Sequence, residues 1–414
     1  MRKELLAPPI AASLLSKAHE LDQSDPLAQL REKFIDSPDL CAYLDGNSLG
    51  RPLKVTAQNL ASFTSGIWGQ RLIRAWDESW MDAPTELGDR IGSVVLGAAA
   101  GQTVVGDSTT VLLYKLARAA IDCQPERDTV VADTANFPTD RFLLEGIAQE
   151  RGLQLRWIDA DPVSGVSADD VRRAISARTA LVLLSHVDYR SAAIADIRAI
   201  TQICHASGAL VLWDLSHSAG VMEIALDSNG VDLAVGCSYK YLNGGPGAPA
   251  FAYVARRLQD TLRQPIQGWM GAAKPFEMGP AYEPASGIRR FLSGTPAIIG
   301  MLPVSDMLAI LEPVGITAVR AKSIALTEFA LELTNTELVP LGVEIASPRR
   351  SELRGGHLMI EHQRFHQLLS VLWSRGVVPD FRYPRGLRLG LSPLSTSFTE
   401  VANGIAHIRE LLIS

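Results

Sequence analysis

Between residues 100 and 255 the chain alternates short apolar runs with amphipathic segments. Several of these runs are apolar at nearly every position, which is typical of strands buried on both faces of a sheet. Gly152 and Gly208 stand where a helix would end before the next strand begins. The pattern predicts a large, mostly parallel sheet of seven strands at 102–105, 129–132, 153–157, 180–184, 209–213, 233–236 and 249–254.

After about Pro303 the pattern changes to long helical stretches with shorter strands at 343–346, 357–360 and 387–391. A final helix is predicted over 399–412, where Val401, Ile405, Ile408 and Leu412 recur at helical spacing. Such a mixture is typical of a smaller α+β domain. We therefore predict an α/β fold in three parts, with an N-terminal segment that packs on the small domain, a large domain and a small C-terminal domain at 1–55, 56–302 and 303–414.

Composition narrows the class of ligand. The 414 residues are 47% hydrophobic and 20% charged, an ordinary globular balance, and the net charge of −6 gives no reason to expect nucleic acid or an anionic membrane surface. No run of about 18 apolar residues predicts a transmembrane span. We expect a small-molecule ligand.

Cysteine usage and the N-terminal residues bear on location. The four cysteines lie far apart without a CxxC pair, so neither a metal site nor a disulfide framework is predicted. The stretch from Met1 to Pro9 contains an acid and two prolines where a secretory signal would have an uninterrupted apolar segment. Both observations favour a cytoplasmic protein.

An acid and a lysine follow two of the predicted strands. Asp214 comes directly after the run 209–213, and Lys240 follows 26 residues later, between Tyr239 and the glycine-rich stretch 243–247. A lysine can bond covalently to the aldehyde of pyridoxal phosphate, while a carboxylate keeps the pyridine nitrogen protonated so that the ring accepts electrons. Taken singly, a surface lysine or a helix-capping acid is the common alternative. Together they predict a pyridoxal phosphate enzyme.

Three further positions follow predicted strands, where open parallel sheets bind ligands. Thr109 and Thr110 open a helical run whose backbone N–H groups could hold a phosphate, or one of them simply caps the helix. Phe137 also opens a helix, and its ring could stack on a flat heteroaromatic ring. His217 could contact the same ligand or be a structural histidine.

Arg388 lies inside a short apolar strand of the predicted small domain. An unpaired charge would be costly there, so the guanidinium group needs an anion. A substrate carboxylate held by two parallel N–H bonds matches guanidinium geometry. An internal Asp or Glu is the alternative partner.

Several short sequence motifs, spread over most of the chain, resemble those of the kynureninase family. This family belongs to the fold-type-I pyridoxal phosphate enzymes, in the class-V aminotransferase-like group. The Asp-x-x-His to Lys spacing is common to that superfamily, whereas three of the motifs are specific to the family: GNSLG, FPTD and YKYLNGGPG. The matching stretches are 43–50, 137–140, 213–217, 239–247, 268–271, 291–296 and Arg388 before Ser392-Pro393.

The resemblance implies a role for each residue of a cofactor site. The phosphate would be bound by Thr109, Thr110, Tyr239 and Trp269 of the partner subunit. The ring would be covered by Phe137, lined by Asp140, Ser185 and His217, and paired at its nitrogen with Asp214. Lys240 would hold the cofactor covalently.

The resemblance also implies a substrate site and a reaction. Arg388 would hold the substrate carboxylate, while Thr295, beside the cofactor, would face the substrate ring together with Trp68 or Trp76. Lys240 would move the α proton and Tyr239 would relay a proton near the γ-carbonyl. The reaction is the hydrolytic β–γ carbon–carbon cleavage of L-kynurenine to anthranilate and L-alanine in tryptophan catabolism, the kynurenine pathway to NAD. 3-Hydroxykynurenine is an alternative substrate.

The same resemblance implies a substrate preference, through Thr295, and an arrangement of subunits. Animal members have Asn at the position of Thr295, and bacterial members that prefer L-kynurenine have Thr, so L-kynurenine is the expected substrate. A homodimer with active sites shared between subunits is implied.

Four other classes of protein can be compared with this prediction. An aminotransferase shares the lysine, the acid and the arginine. Cysteine desulfurases use a cysteine well after the lysine, and no cysteine follows Cys237 here. A non-catalytic binding module would use the glycine-rich stretch only as a turn, and a dinucleotide-binding dehydrogenase would need a GxGxxG motif after its first strand, which is missing.

Overall fold

The computed structural model describes residues 12–414. The expectation about a secretory signal concerns Met1 to Pro9, which lie outside the described residues. The same holds for the first eleven residues of the predicted segment 1–55.

Helices and strands account for most of the described chain. The twelve α-helices of residues 12–414 are α1 (Ala12–Ser24), α2 (Lys54–Phe63), α3 (Ala83–Ile91), α4 (Thr109–Asp122), α5 (Pro138–Arg151), α6 (Ala168–Ala174), α7 (Ile197–Ser207), α8 (Arg256–Gln259), α9 (Ile298–Val314), α10 (Ile316–Leu333), α11 (Phe365–Ser374) and α12 (Phe398–Ile413). The strands are β1 (Ala42–Leu44), β2 (Thr103–Gly106), β3 (Thr129–Asp133), β4 (Gln154–Ile158), β5 (Thr179–Ser185), β6 (Leu210–Asp214), β7 (Leu233–Gly236), β8 (Ala250–Val254), β9 (Glu344–Ile345), β10 (His357–Glu361), β11 (Val377–Arg382) and β12 (Gly386–Gly390).

The large domain is built on a seven-stranded sheet in the order β2-β8-β7-β6-β5-β3-β4. Neighbouring strands from β7 to β4 run parallel, and β8 is antiparallel to both of its neighbours. The predicted α/β fold with a mostly parallel seven-stranded sheet and a smaller C-terminal domain is confirmed. The carboxyl ends of β3, β5, β6 and β7 therefore meet along one edge of the sheet.

Both faces of this sheet are buried. Leu181 and Leu183 of β5 pack in one apolar cluster with α4 and α5, while Val182 and Leu184 pack in another with α3, α7 and α9. Each such side chain contributes about 1.5–3 kcal/mol by leaving water. Burial on both faces explains why β5 is apolar at nearly every position.

The small domain contains a five-stranded sheet in the order β1-β11-β12-β10-β9. β12 pairs antiparallel with both β10 and β11, whereas β1 joins β11 in parallel. The C-terminal helix predicted over 399–412 is α12. The sequence did not predict β1 or β11, and β11 contains Pro379 next to β1.

The N-terminal segment contacts both domains. Leu14 and Ala18 of α1 pack in the core of the small domain, whereas Phe34 and Leu53 pack in the core of the large domain. Helix α9 runs without a break through the predicted boundary between residues 302 and 303. The three domain bounds stay a prediction.

Within residues 12–414 no single helix is long and apolar enough to cross a membrane. The consecutive stretches Ile298–Val314 and Ile316–Leu341 reach the required length and composition only as a pair, and they are bent by 91° where they meet.

Gly88 and Gly146 both lie in helices, yet replacing each by alanine should change the stability of the fold in opposite directions. A methyl group on Gly88 in α3 would meet the Thr103 carbonyl group of β2, whereas one on Gly146 in α5 would meet nothing within 4 Å. We expect Gly146→Ala to stabilise the fold by up to about 1 kcal/mol through helix propensity. Gly88→Ala should destabilise it by about 1–3 kcal/mol through overpacking. Urea unfolding of both variants measures the difference, and equal midpoints would contradict the close contact between α3 and β2.

Candidate active site

The predicted strand-end residues come together. The register of β5 and β6 places Ser185 directly beside Asp214, and the register of β6 and β7 places Asp214 beside Val235. Lys240 follows β7 after a short loop. The sheet topology thus brings the acid, the serine and the lysine to one edge, as open parallel sheets do with ligand-binding residues.

The Lys240 amine contacts His217. Its Nζ lies 2.8 Å from His217 Nε2, and both residues are buried. Burial, and then the positive charge of Lys240, lowers the pKa of His217 well below its usual value. The imidazole is therefore neutral and can accept a hydrogen bond from Nζ of Lys240, while its Nδ1 has no partner within residues 12–414.

Two buried acids stand near this amine. Asp214 Oδ1 accepts a hydrogen bond of 2.8 Å from the Ser216 backbone N–H. Asp140, in the first turn of α5, is buried, and its Oδ2 has no partner within the described chain. Burial, and then the charge of Asp214, raises the pKa of Asp140 well above its usual value, while Lys240 acts in the opposite direction. Burial thus favours the protonated form of Asp140 close to Asp214 and Lys240.

Aromatic rings surround the lysine. Nζ of Lys240 lies 5.9 Å from the ring centroids of both Phe137 and Tyr239. Tyr189 packs edge-on against Phe137 at 5.4 Å. Burial, and then the neighbouring Cys237, raises the pKa of Tyr239, so its hydroxyl stays protonated. A flat ring bonded to Lys240 would find Phe137 within stacking range.

Thr109 and Thr110 are the first two residues of α4. Neither caps the helix, because Ser108 does: its Oγ accepts a 3.4 Å hydrogen bond from the Val111 N–H. The positive end of the helix dipole lies here, which is a suitable place for a phosphate group.

Arg388 already has an internal acid partner. Its Nη2 lies 2.8 Å from Asp380 Oδ2 and donates to Ser48 Oγ at 2.5 Å, and its Nη1 donates to the Tyr189 carbonyl at 2.7 Å. Asn47, with its amide oriented to satisfy both neighbours, accepts from Nε at 3.1 Å. The alternative of an internal partner is therefore present, and a role for Arg388 in binding a substrate stays a prediction.

The remaining predicted residues lie apart from the lysine. Trp269 packs against Trp76 with ring centroids 5.9 Å apart, while Trp68 and Thr295 are exposed. Within residues 12–414 no hydrogen bond or ring contact links these four side chains to Lys240.

His357 is a site residue that the sequence analysis missed. It lies on β10, is fully buried, and its ring centroid is 5.5 Å from that of His217. Burial, and then the charge of Arg388, lowers the pKa of His357 well below its usual value, while the Arg190 backbone acts in the opposite direction. A polar residue within an apolar strand was the available signal, the same signal that indicated Arg388. Tyr189, Asp380 and Asn136, which accepts from Ser185 Oγ at 2.7 Å, gave no local signal.

These residues fit pyridoxal 5′-phosphate. A buried amine, a neighbouring carboxyl group, a ring in stacking range and a helix N-terminus match the aldehyde, pyridine nitrogen, ring and phosphate of that group. The unpartnered buried atoms Asp140 Oδ2 and His217 Nδ1 are polar groups that a ligand would satisfy. Lys240 would hold the group covalently, and Asp214 would face its ring nitrogen.

Comparison with known families agrees with this donor set. Residues 319–408 match the family described as "Kynureninase C-terminal domain", and residues 84–264 match "Cys/Met metabolism PLP-dependent enzyme".

Two bacterial relatives are similar over nearly the whole chain. A kynureninase from Pseudomonas fluorescens is 40% identical over 400 residues, covering 95% of this chain and 94% of the relative. One from Burkholderia pseudomallei (strain 1106a) is 40% identical over 403 residues, covering 96% and 95% respectively.

Solved structures show the same fold at low identity. The cysteine desulfurase CsdA from Escherichia coli has a TM-score of 0.79 at 15% identity and covers 94% of this chain and 98% of its own. An apo cysteine desulfurase from Thermococcus onnurineus NA1 has a TM-score of 0.77 at 18% identity, with coverage of 95% and 98%. At this identity the likeness concerns the fold alone.

Proposed function

This chain belongs to the kynureninase family of pyridoxal phosphate-dependent enzymes, and we propose that its strand-end residues carry out the hydrolysis of L-kynurenine. The reaction cleaves the β–γ carbon–carbon bond and releases anthranilate and L-alanine. The observation that carries the assignment of residues is the 2.8 Å contact between Lys240 and the neutral His217, three residues after Asp214.

When bound, pyridoxal phosphate supplies an electron sink that stabilises negative charge at the substrate α carbon. Asp214 would favour that sink through its negative charge beside the ring nitrogen. Lys240 would remove the proton from the α carbon, for which a free amine is needed. His217 supports this role, because its neutral imidazole can accept a hydrogen bond from Nζ and so orient the amine.

The remaining roles concern the substrate. Arg388 would orient the α-carboxylate, which fixes the α carbon over the Lys240 amine. Tyr239, whose hydroxyl stays protonated, would relay a proton near the hydrated γ-carbonyl as the β–γ bond breaks. Thr109 and Thr110 would hold the phosphate at the N-terminus of α4.

We expect purified holoenzyme to form anthranilate from L-kynurenine without any keto acid. An aminotransferase would need an amino acceptor, so this assay separates the two functions. Lys240→Ala should lower kcat by at least about 10²- to 10⁴-fold, because a positioned base and the covalent link are both lost. Anthranilate fluorescence measures the rate.

Lys17→Ala is the matched control, because Lys17 is exposed on α1 and pairs only with Glu332 in the described chain. It should keep the wild-type rate. Undiminished turnover in Lys240→Ala would refute the assignment of the lysine. Turnover that depends on an added keto acid would favour the aminotransferase.

The homodimer is a further proposal, supported by exposed apolar side chains. Leu72, Ile73 and Met278 are 59%, 77% and 83% exposed. Their segments are joined by the contacts of Trp269 with Trp76 and Phe276. Apolar side chains clustered in this way are typical of a protein–protein interface, and Trp269 would reach the phosphate of the partner subunit from there.

We expect Ile73→Asp to weaken the dimer about 100-fold or more, because a charge would be buried without a partner. Light scattering after size-exclusion chromatography measures the mass. Trp373→Asp is the control, since Trp373 is 56% exposed on α11 in the small domain. A monomeric wild type, or a dimer unaffected by Ile73→Asp, would contradict this interface.

Thr295 supports a preference for L-kynurenine through the family resemblance alone. Thr295→Asn should raise the ratio of kcat/KM for 3-hydroxykynurenine over L-kynurenine about tenfold, the usual size of one hydrogen-bond contact. Kinetics with both substrates tests this. An unchanged ratio would remove Thr295 from the residues that determine specificity.

A cytoplasmic location is also proposed. All four cysteines are free, as expected in a reducing compartment. Cell fractionation with an antibody against the chain tests the location.

A further inference from the structure

One face of the small-domain sheet points toward the active site. Asp380 and Arg388 are direct partners in the register of β11 and β12, and Arg382 lies two residues after Asp380. Since side chains alternate along a strand, these three share one face. His357 shares it too, because its partner Gly390 lies two residues after Arg388. His357 packs near His217, so Arg382 is on the face that meets the lysine site.

Arg388 has few donors left for a substrate. A guanidinium group has five N–H bonds, and here Nε, one from Nη1 and both from Nη2 point to Asn47, the Tyr189 carbonyl, Ser48 and Asp380. Two parallel N–H bonds are needed for bidentate binding of a carboxylate. Arg388 alone therefore does not provide them in this arrangement.

Arg382 does have unused donors. Its Nε donates to Asp380 Oδ2 at 2.6 Å, and within residues 12–414 its two Nη atoms make no hydrogen bond. The side chain is 29% exposed, and the guanidinium carbon lies 5.6 Å from the centroid of the Tyr189 ring. Tyr189 in turn packs on Phe137, so Arg382 stands at the border between the active site and solvent.

Asp380 holds the two arginines side by side. The same oxygen, Oδ2, lies 2.8 Å from Arg388 Nη2 and 2.6 Å from Arg382 Nε. A carboxylate that is shared in this way keeps two cations close that would otherwise repel each other. Asp380 Oδ2 thereby holds the two guanidinium groups next to each other, and the two Nη atoms of Arg382 remain available to a ligand.

We propose that Arg382 is a second substrate-binding arginine, which takes one oxygen of the substrate α-carboxylate while Arg388 takes the other. This inference rests on the proposed function, since it places the substrate at the Lys240 site. The competing view is that Arg382 only forms a partly exposed ion pair with Asp380, a contact that contributes about 0–1 kcal/mol to stability. That view predicts no dependence on the ligand carboxylate.

The test compares two ligands that differ only at the carboxylate. Calorimetric titration of holoenzyme with L-alanine and with L-alaninamide gives dissociation constants without relying on turnover. We expect Arg382→Gln to weaken L-alanine about tenfold or more, because charge-assisted hydrogen bonds are lost. Binding of L-alaninamide should change less than twofold. Arg382→Lys keeps the charge but not the planar pair of donors, and should lie in between.

Arg385→Gln is the matched control. Arg385 follows the same strand, carries the same charge and pairs with Glu344 and Glu361 instead of Asp380. Arg385→Gln should leave both dissociation constants unchanged. This result would distinguish a direct contact with the ligand from the long-range effect of losing one positive charge. Circular dichroism of each variant checks the fold.

Each outcome decides between the views. Wild-type affinity of Arg382→Gln for L-alanine, or an equal loss for both ligands, overturns the inference. An equal effect of Arg385→Gln also overturns it, since general charge would then suffice. Wild-type holoenzyme that forms no anthranilate refutes the proposed function, and with it this inference, whereas active wild type with an unaffected Arg382→Gln refutes the inference alone.

Discussion

The site depends on keeping a buried amine beside an uncharged imidazole. Lys240 and His217 are both buried, and their contact of 2.8 Å tolerates only one positive charge at low energetic cost. Burial and the surrounding cations keep the imidazole uncharged, because they lower the pKa of His217. Burial also raises the pKa of Asp140. The fold of the large domain supplies this arrangement by ending parallel strands at one edge.

Three parts of the chain together form the region that would bind the substrate carboxylate. Arg388 of the small domain contacts Ser48 from the N-terminal segment and the Tyr189 carbonyl from the large domain. Two glycines lie at close contacts in this region. A side chain on Gly390 would collide with Asn47. The Gly50 N–H donates a hydrogen bond to the Tyr239 carbonyl at 3.0 Å. Motifs far apart in sequence are thus parts of one contact network.

The sequence predicted the large sheet well because strands buried on both faces are apolar throughout. Asp214 and Lys240 could be predicted because residues after parallel strands converge at one edge, whereas Ser185 was predicted only from the family resemblance. β11 was missed because Pro379 argues against an interior strand, although the pairing there tolerates it. Asp380 was missed because its role comes from pairing with Arg388 on another strand, which no local pattern reports. His357 was missed although it is a polar residue within an apolar strand.

The contact between Ser48 and Arg388 joins residues that are 340 positions apart. A polypeptide is made from its amino end, so the serine leaves the ribosome long before the arginine. The Lys240 part of the pocket can form on a nascent chain. Arg388, which would bind the carboxylate of an amino acid, is added only when translation is almost finished. An unfinished chain can therefore have the groups that hold a cofactor before it has those that select what the cofactor acts on.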